Sequence, residues 1–165
     1  MKIKPAIKMN DHYILKTLAA GWISGMRSVS ALAFTSNLIH QHQVLLPLSK
    51  PLRILANPIV SKTIHGLAAG EFVGDKLPET PDRVAPAPLT ARTLMGAISG
   101  AVIYTLAKKS PFTGALVGGL TAIVSSYAMY NLRKELRLNS NVPDATLGFA
   151  EDALVTGALF ASRKK

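Results

Sequence analysis

The 165-residue chain contains no cysteine, so disulfides and cysteine-based zinc or iron–sulfur sites are excluded. Aromatic residues make up only 6% of the chain, and charged residues only 17%, where soluble domains have about a quarter. The apolar residues, 48% of the total, are therefore mainly Ala, Leu, Ile and Val. These shortages favour a helical bundle in a membrane, where small side chains let helices pack closely.

Acidic residues are also scarce, with nine Asp and Glu against 19 Lys and Arg, which gives a net charge of +10. The basic residues lie at the chain ends and between apolar runs rather than in one stripe, as expected of side chains that contact lipid headgroups. Few aromatics are available for base stacking and no nucleic-acid motif is present. The expected partner is the lipid bilayer, and nucleic acid is not expected.

Five apolar segments have about the length needed to cross a bilayer core. They cover residues 13–39, 54 or 59 to 77, 90–107, 112–132 and 145–162. Prolines separate them, and the four prolines between 77 and 89 predict a rigid, non-helical connection there. The sequence thus predicts an all-α polytopic transmembrane bundle of about five helices. Its single domain covers 13–162, with a basic extension at 1–12 and a basic tail at 163–165.

Glycines recur at i, i+4 in four of these segments. They are Gly21 and Gly25; Gly66, Gly70 and Gly74; Gly96 and Gly100; and Gly114 and Gly118. This spacing predicts close helix packing, within one chain or between copies in a homo-oligomer. An inverted repeat of the first two and last two segments around the third is a further interpretation.

With five crossings, the basic residues divide almost evenly between the two sides of the membrane. A small excess on the side of the N-terminus predicts that the N-terminus is cytoplasmic.

Seven ionisable residues lie inside or at the ends of the apolar segments, where a charge is costly unless it is paired or hydrated. They are Arg27, Glu71, Asp75, Lys76, Arg92, Glu151 and Asp152. Four carboxylates against one deeply placed arginine predict an excess of negative charge, which is typical of a proton or cation pathway. The leading hypothesis is a small channel or transporter-like protein that handles a cation, proton or small solute. The alternative is a non-transporting scaffold whose buried ion pairs only fix helix packing.

Catalytic motifs are absent from the sequence: there is no Gly-x-Ser-x-Gly, no Walker loop, no Rossmann turn and no His-Glu-x-x-His. His40 and His42 have no third ligand nearby in sequence, so a metal site is not expected. We expect neither an enzyme nor a cofactor.

Several of these charged residues lie in longer elements that carry a family resemblance. The elements are Gly25-Met26-Arg27-Ser28; Gly70-Glu71-Phe72-Val73-Gly74-Asp75-Lys76-Leu77-Pro78 with Thr80, Pro81 and Arg83; Ala91-Arg92 with Gly96-Ala97; and Pro143-Asp144 with Leu147 and Glu151-Asp152-Ala153. Over about residues 15–162 the chain resembles a family of small bacterial membrane proteins known as domain of unknown function 4126. The resemblance implies a helical inner-membrane protein and implies no activity.

Overall fold

The computed structural model describes residues 12–42, 50–74, 84–139 and 144–162, and every regular element in these ranges is an α-helix. The helices are α1 (Tyr13–Met26), α2 (Ser28–His42), α3 (Lys50–Leu55), α4 (Pro58–Gly74), α5 (Pro86–Leu106), α6 (Pro111–Asn139) and α7 (Asp144–Ala161). The all-α prediction is confirmed for this part of the chain. The structure has seven helices here, where the sequence predicted about five.

The first apolar segment is two helices and not one, because the backbone is extended at Arg27 (φ −145°, ψ 109°). The start of α1 lies beside the end of α5, with the rings of Tyr13 and Tyr104 4.9 Å apart. Ile39, near the end of α2, belongs to the same apolar cluster as Leu106. Thus α1 runs away from this end of α5 and α2 runs back toward it. The single helix predicted for 13–39 is wrong, and an antiparallel hairpin takes its place.

The other helices are ordered relative to this hairpin by their contacts. Helix α4 runs antiparallel to α2, because Ser36 hydrogen-bonds Ser61 while Ser28, at the other end, bonds Glu71. Helix α7 runs parallel to α2, since Arg27, just before α2, hydrogen-bonds Asp152 near the start of α7, and Asn37 hydrogen-bonds Ser162 just after its end. We call the end of the bundle that holds Tyr13, His42, Leu106 and Ala161 the terminal face. The end that holds Gly74, Pro86 and Asn139 is the opposite face.

Proline positions explain where two helices begin. Helix α6 starts at Pro111, directly after Ser110, as the Ser-Pro pair predicts. Helix α5 starts at Pro86, so the non-helical connection predicted for 77–89 is wrong for residues 86–89. The first N–H groups of a helix have no intrahelical partner, and prolines in the first turn therefore remove no hydrogen bond.

The bundle has apolar side chains outside and many polar ones inside. Large hydrophobic residues on the surface of α6 recur every four residues, with Phe112 72% and Leu120 61% exposed. The fully buried side chains include several serines and threonines together with Arg27. Among the described residues, α5 and α6 are long and apolar enough to cross a membrane. By length and composition, the core helix of a soluble protein can pass the same test.

Candidate functional site

The break at Arg27 leaves the last carbonyl groups of α1 without intrahelical partners. Arg92, from the second turn of α5, supplies them: its Nη1 donates to the Gly25 oxygen at 2.6 Å and the Met26 oxygen at 2.9 Å. Arg92 is 4% exposed. A cation is favoured at a helix C-terminus because the aligned peptide dipoles make that end partly negative. Arg92 therefore caps α1 from a neighbouring helix.

The first N–H groups of α2 are capped from the other side by Glu71, near the end of α4. Its Oε1 accepts from the N–H of Ser28 at 2.7 Å, and its Oε2 accepts from the N–H of Val29 at 3.0 Å. A carboxylate is favoured at this partly positive helix end. The two faces of the break are thus matched by side chains of opposite charge, one from α4 and one from α5.

Arg27 itself is 1% exposed and lies between α4 and α7. Its Nε donates to Oδ1 of Asp152 at 3.0 Å, and its Nη2 forms an ion pair with the same oxygen at 2.5 Å. Its Nη1 also lies 3.5 Å from the backbone oxygen of Glu71, at the long limit for a hydrogen bond. Arg27 therefore connects the break in the hairpin to α7.

Glu151, the neighbour of Asp152 on α7, pairs with Arg133 of α6. The interaction is bidentate: Arg133 donates from Nε to Oε1 of Glu151 at 3.0 Å and from Nη2 to Oε2 at 3.0 Å. Arg133 is missing from the predicted cluster because the fourth segment was expected to end at Leu132, which placed Arg133 outside the membrane. Helix α6 continues to Asn139, and this longer helix brings Arg133 opposite α7.

The predicted excess of negative charge is not found in the described part of the cluster. That part contains equal numbers of arginines and carboxylates, namely Arg27, Arg92 and Arg133 with Glu71, Glu151 and Asp152. The other two predicted members, Asp75 and Lys76, lie outside the described residues. We call the six described residues the charged layer. Measured along α5, the layer lies about 9 Å from the opposite face, because Arg92 is six residues after Pro86.

Serine side chains support the same region by bonding to helix backbones. Ser24 donates to the oxygen of Arg92 at 2.6 Å, which holds α1 against the start of α5. Ser125 and Ser126 of α6 donate to the oxygens of Trp22 and Gly25 at 2.8 and 3.4 Å. In apolar surroundings such bonds fix helices to one another. Among the described residues, no group of three or more His, Asp or Glu side chains is placed to hold a metal.

The predicted packing glycines fall into two sets. A Cβ added at Gly25 would lie 2.5 Å from the Ser125 Cβ, and one at Gly21 or Gly96 would lie 2.7 Å from the Gly118 oxygen. Gly100 and Gly114 face each other so closely that a Cβ on either would collide with the other's backbone. Gly66 and Gly70 have no atom within 4 Å of an added Cβ. Gly74 is the last residue of α4.

Comparison with known proteins gives a family and no activity. No curated protein and no solved structure matches the chain significantly. The matched family covers nearly all of the described helices and all six residues of the charged layer. The chain belongs to the family described as "Domain of unknown function (DUF4126)", whose model matches residues 14–164.

Proposed function

We propose that this protein is a multi-pass protein of the cytoplasmic membrane, with its N-terminus in the cytoplasm. The distribution of side chains supports this proposal. Residues such as Phe112, Leu120 and Leu154 are exposed, while Ser30, Ser99 and Arg27 are fully buried. In water, exposed apolar surface of this extent would favour aggregation, whereas in lipid it is the expected outer surface.

We further propose that the charged layer handles a proton, a cation or a small solute. The observation that carries this is the broken helix pair, whose two ends face Arg92 and Glu71. In transporters with discontinuous helices, exposed helix N-termini face anionic groups, and unwound carbonyls and C-terminal ends bind cations. Here side chains of the protein occupy both positions.

Protonation gives this arrangement a way to change. A proton on Asp152 would cancel the charge that holds Arg27, and a proton on Glu71 would remove the anion at the start of α2. Either event would leave a buried positive centre, which an anionic group of a solute would rebalance. The layer lies about 9 Å from one face, so a short aqueous path would reach it.

A second candidate is a scaffold without transport activity. The observation that favours it is the even charge balance of the layer, in which three arginines match three carboxylates. Such a network could serve only to fix α2, α4 and α7 in register. The two candidates share the same contacts and differ in whether breaking them changes flux.

Reconstituted vesicles distinguish the two candidates. We would measure proton entry with an internal pH dye and rubidium uptake with a tracer, for the native protein, Glu71→Gln and Asp152→Asn. Glu135→Gln, on the exposed end of α6, is the matched carboxylate control. Transport predicts flux in the native protein and in the control, and its loss in both layer variants while they remain folded.

The exchanged pair Arg27→Asp/Asp152→Arg completes the test. The scaffold predicts that the pair recovers the stability lost in each single variant and that no protein shows flux above empty vesicles. Native flux that survives Glu71→Gln and Asp152→Asn unchanged would refute the transport proposal for this layer.

A further inference from the structure

The hairpin of α1 and α2 is too short to count as two crossings. Its helices have 14 and 15 residues, whereas a helix that crosses a bilayer core needs roughly 17–25 residues. The other long helices, α4 to α7, have 17 to 29 residues and connect the two faces of the bundle. The hairpin starts and ends at the terminal face.

The tip of the hairpin ends inside the bundle. Arg92, which caps it, is 14 residues before Leu106, so the tip lies about 21 Å from the terminal face. The non-helical residue at the tip, Arg27, is 1% exposed. Irregular backbone at membrane depth is tolerated where protein surrounds it and supplies its hydrogen bonds, as Glu71 and Arg92 do here.

The arrangement of helix ends changes which charges share a side. With a hairpin and four crossings, the two chain termini and the connections after α2 and α5 all attach at the terminal face. The remaining basic residues, apart from the three arginines of the charged layer, are assigned by the helix end to which their stretch of the sequence connects. Twelve go with the terminal face: Lys2, Lys4, Lys8, Lys16, Lys50, Arg53, Lys62, Lys108, Lys109, Arg163, Lys164 and Lys165. The opposite face receives four: Lys76, Arg83, Lys134 and Arg137.

The acidic residues are divided in the reverse sense. Assigned by the helix end to which each stretch of the sequence connects, and outside the charged layer, Asp11 goes with the terminal face, and Asp75, Glu79, Asp82, Glu135 and Asp144 go with the opposite face. Five simple crossings would leave the basic residues nearly balanced. The hairpin gives twelve basic residues on the terminal face against four on the opposite face. Such a strong asymmetry is typical of the cytoplasmic and outer sides of a membrane protein.

We infer that α1 and α2 form a re-entrant hairpin that enters and leaves the membrane on the cytoplasmic side. The chain then crosses the membrane four times, and both termini are cytoplasmic. The basic terminal face lies against the anionic headgroups of the cytoplasmic leaflet, where each basic side chain near the surface adds attraction. This inference rests on the proposed membrane location and does not require transport.

Cysteine labelling tests the topology, since the chain has no cysteine of its own. We would place single cysteines by Asn10→Cys, Lys109→Cys and Leu138→Cys, and treat right-side-out and inverted membrane vesicles with an impermeant maleimide. The hairpin predicts that residues 10 and 109 react only in inverted vesicles and residue 138 only in right-side-out vesicles. Labelling of residues 10 and 109 on opposite sides would overturn it, because α4 and α5 together return the chain to its starting side and an added crossing by 13–39 would then separate the two residues.

The same labelling separates this inference from the proposed function. Equal reaction of all three cysteines in both preparations would show that the protein does not span the membrane, and the membrane proposal and the hairpin would fail together. The predicted pattern without any flux would leave the hairpin standing and refute transport.

Thermal unfolding in vesicles tests the lipid contact. We expect phosphatidylglycerol to raise the Tm relative to phosphatidylcholine alone, and Lys62→Gln/Lys109→Gln to reduce that gain. Lys134→Gln/Arg137→Gln, with two exposed charges of the opposite face, should keep the gain. Equal Tm values in the two lipids, or equal losses in the two variants, would overturn the assignment of the anionic leaflet to the terminal face.

Discussion

Two regions of this bundle hold helices together by different means. Where α5 and α6 meet, glycines bring the backbones into contact, and a Cβ at Gly100 or Gly114 would collide with the facing helix. Where α2, α4 and α7 meet, hydrogen bonds and an ion pair of Arg27, Glu71 and Asp152 are added to an apolar cluster around Ala33, Ile64 and Ala68. The first region depends on the absence of side chains, and the second combines apolar packing with charged contacts.

The difference shows what each region can do. Backbone contacts across glycines have one close-packed arrangement and no titratable group, so they suit a rigid pair of helices. Charged contacts depend on the charge of each partner, and the transport proposal therefore assigns any response to a proton or ion to the charged layer. The glycine region positions Arg92, and Arg92 caps the hairpin that carries Arg27.

The largest expected effect comes from filling the glycine contact. Gly100→Leu should destabilise the bundle by more than about 3 kcal/mol, because the added side chain meets backbone that cannot move aside. Folded protein after detergent extraction, measured by size-exclusion chromatography, should fall sharply. Gly66→Leu is the control, since no atom lies within 4 Å of an added Cβ there. Equal losses of folded protein in Gly100→Leu and Gly66→Leu would contradict the prediction that only the first position depends on a close backbone contact.

Removing the central arginine of the layer is expected to cost nearly as much. Arg27→Ala leaves Asp152 without this ion pair in a buried site, and breaking a buried pair costs about 3–5 kcal/mol. The double variant Arg27→Ala/Asp152→Ala should lose less than the sum of the single losses in a detergent unfolding series. Strictly additive losses would show that the two side chains are not coupled.

The cap on α2 should contribute a smaller amount. Glu71→Ala removes both acceptors from the first turn of α2 and should cost about 1–2 kcal/mol. Glu71→Gln keeps one acceptor oxygen and should lose less. Hydrogen exchange at the amides of Ser28 and Val29 reports the cap directly. Unchanged exchange in Glu71→Ala would exclude this role.

The smallest effect is expected at the pair of α6 and α7. Arg133→Lys keeps the charge but loses the bidentate interaction with Glu151, and we expect the free energy of unfolding to fall by about 1 kcal/mol. The exposed neighbour variant Lys134→Arg should leave the unfolding midpoint unchanged. A loss of stability in Arg133→Lys as large as that in Arg27→Ala would contradict the prediction that the Arg27–Asp152 pair contributes more to stability than the Arg133–Glu151 pair.

Much of the fold could be predicted from sequence, and its main error has a clear cause. Proline position predicted where α6 starts, and apolar length predicted α5 from residue 90 onward, because these signals are local. The segment 13–39 has no proline, and the polar residues around Arg27 (Ser24, Ser28 and Ser30) are interspersed with apolar ones, so they did not indicate a turn. The groups that stabilise the break, Glu71 and Arg92, lie 44 and 65 positions further along the chain.

The charged residues were found by their cost in an apolar helix, and their partners were not. Sequence placed Glu71 and Arg27 in one polar cluster, and the structure uses the Glu71 carboxylate as a helix cap. Such a role depends on backbone groups that become available only where a helix breaks. Arg133 was missed because its place depends on how far α6 continues beyond the apolar run.

The distance between the two ends of the first segment tests the account most directly. Spin labels on Ile14→Cys and His40→Cys can be measured by pulsed electron resonance in a chain with no other cysteine. The hairpin brings these positions to the same face, and we expect roughly 20 Å or less between the labels. A continuous helix would hold them about 39 Å apart, at 1.5 Å per residue. A distance near that value would contradict the hairpin and the capped break at Arg27.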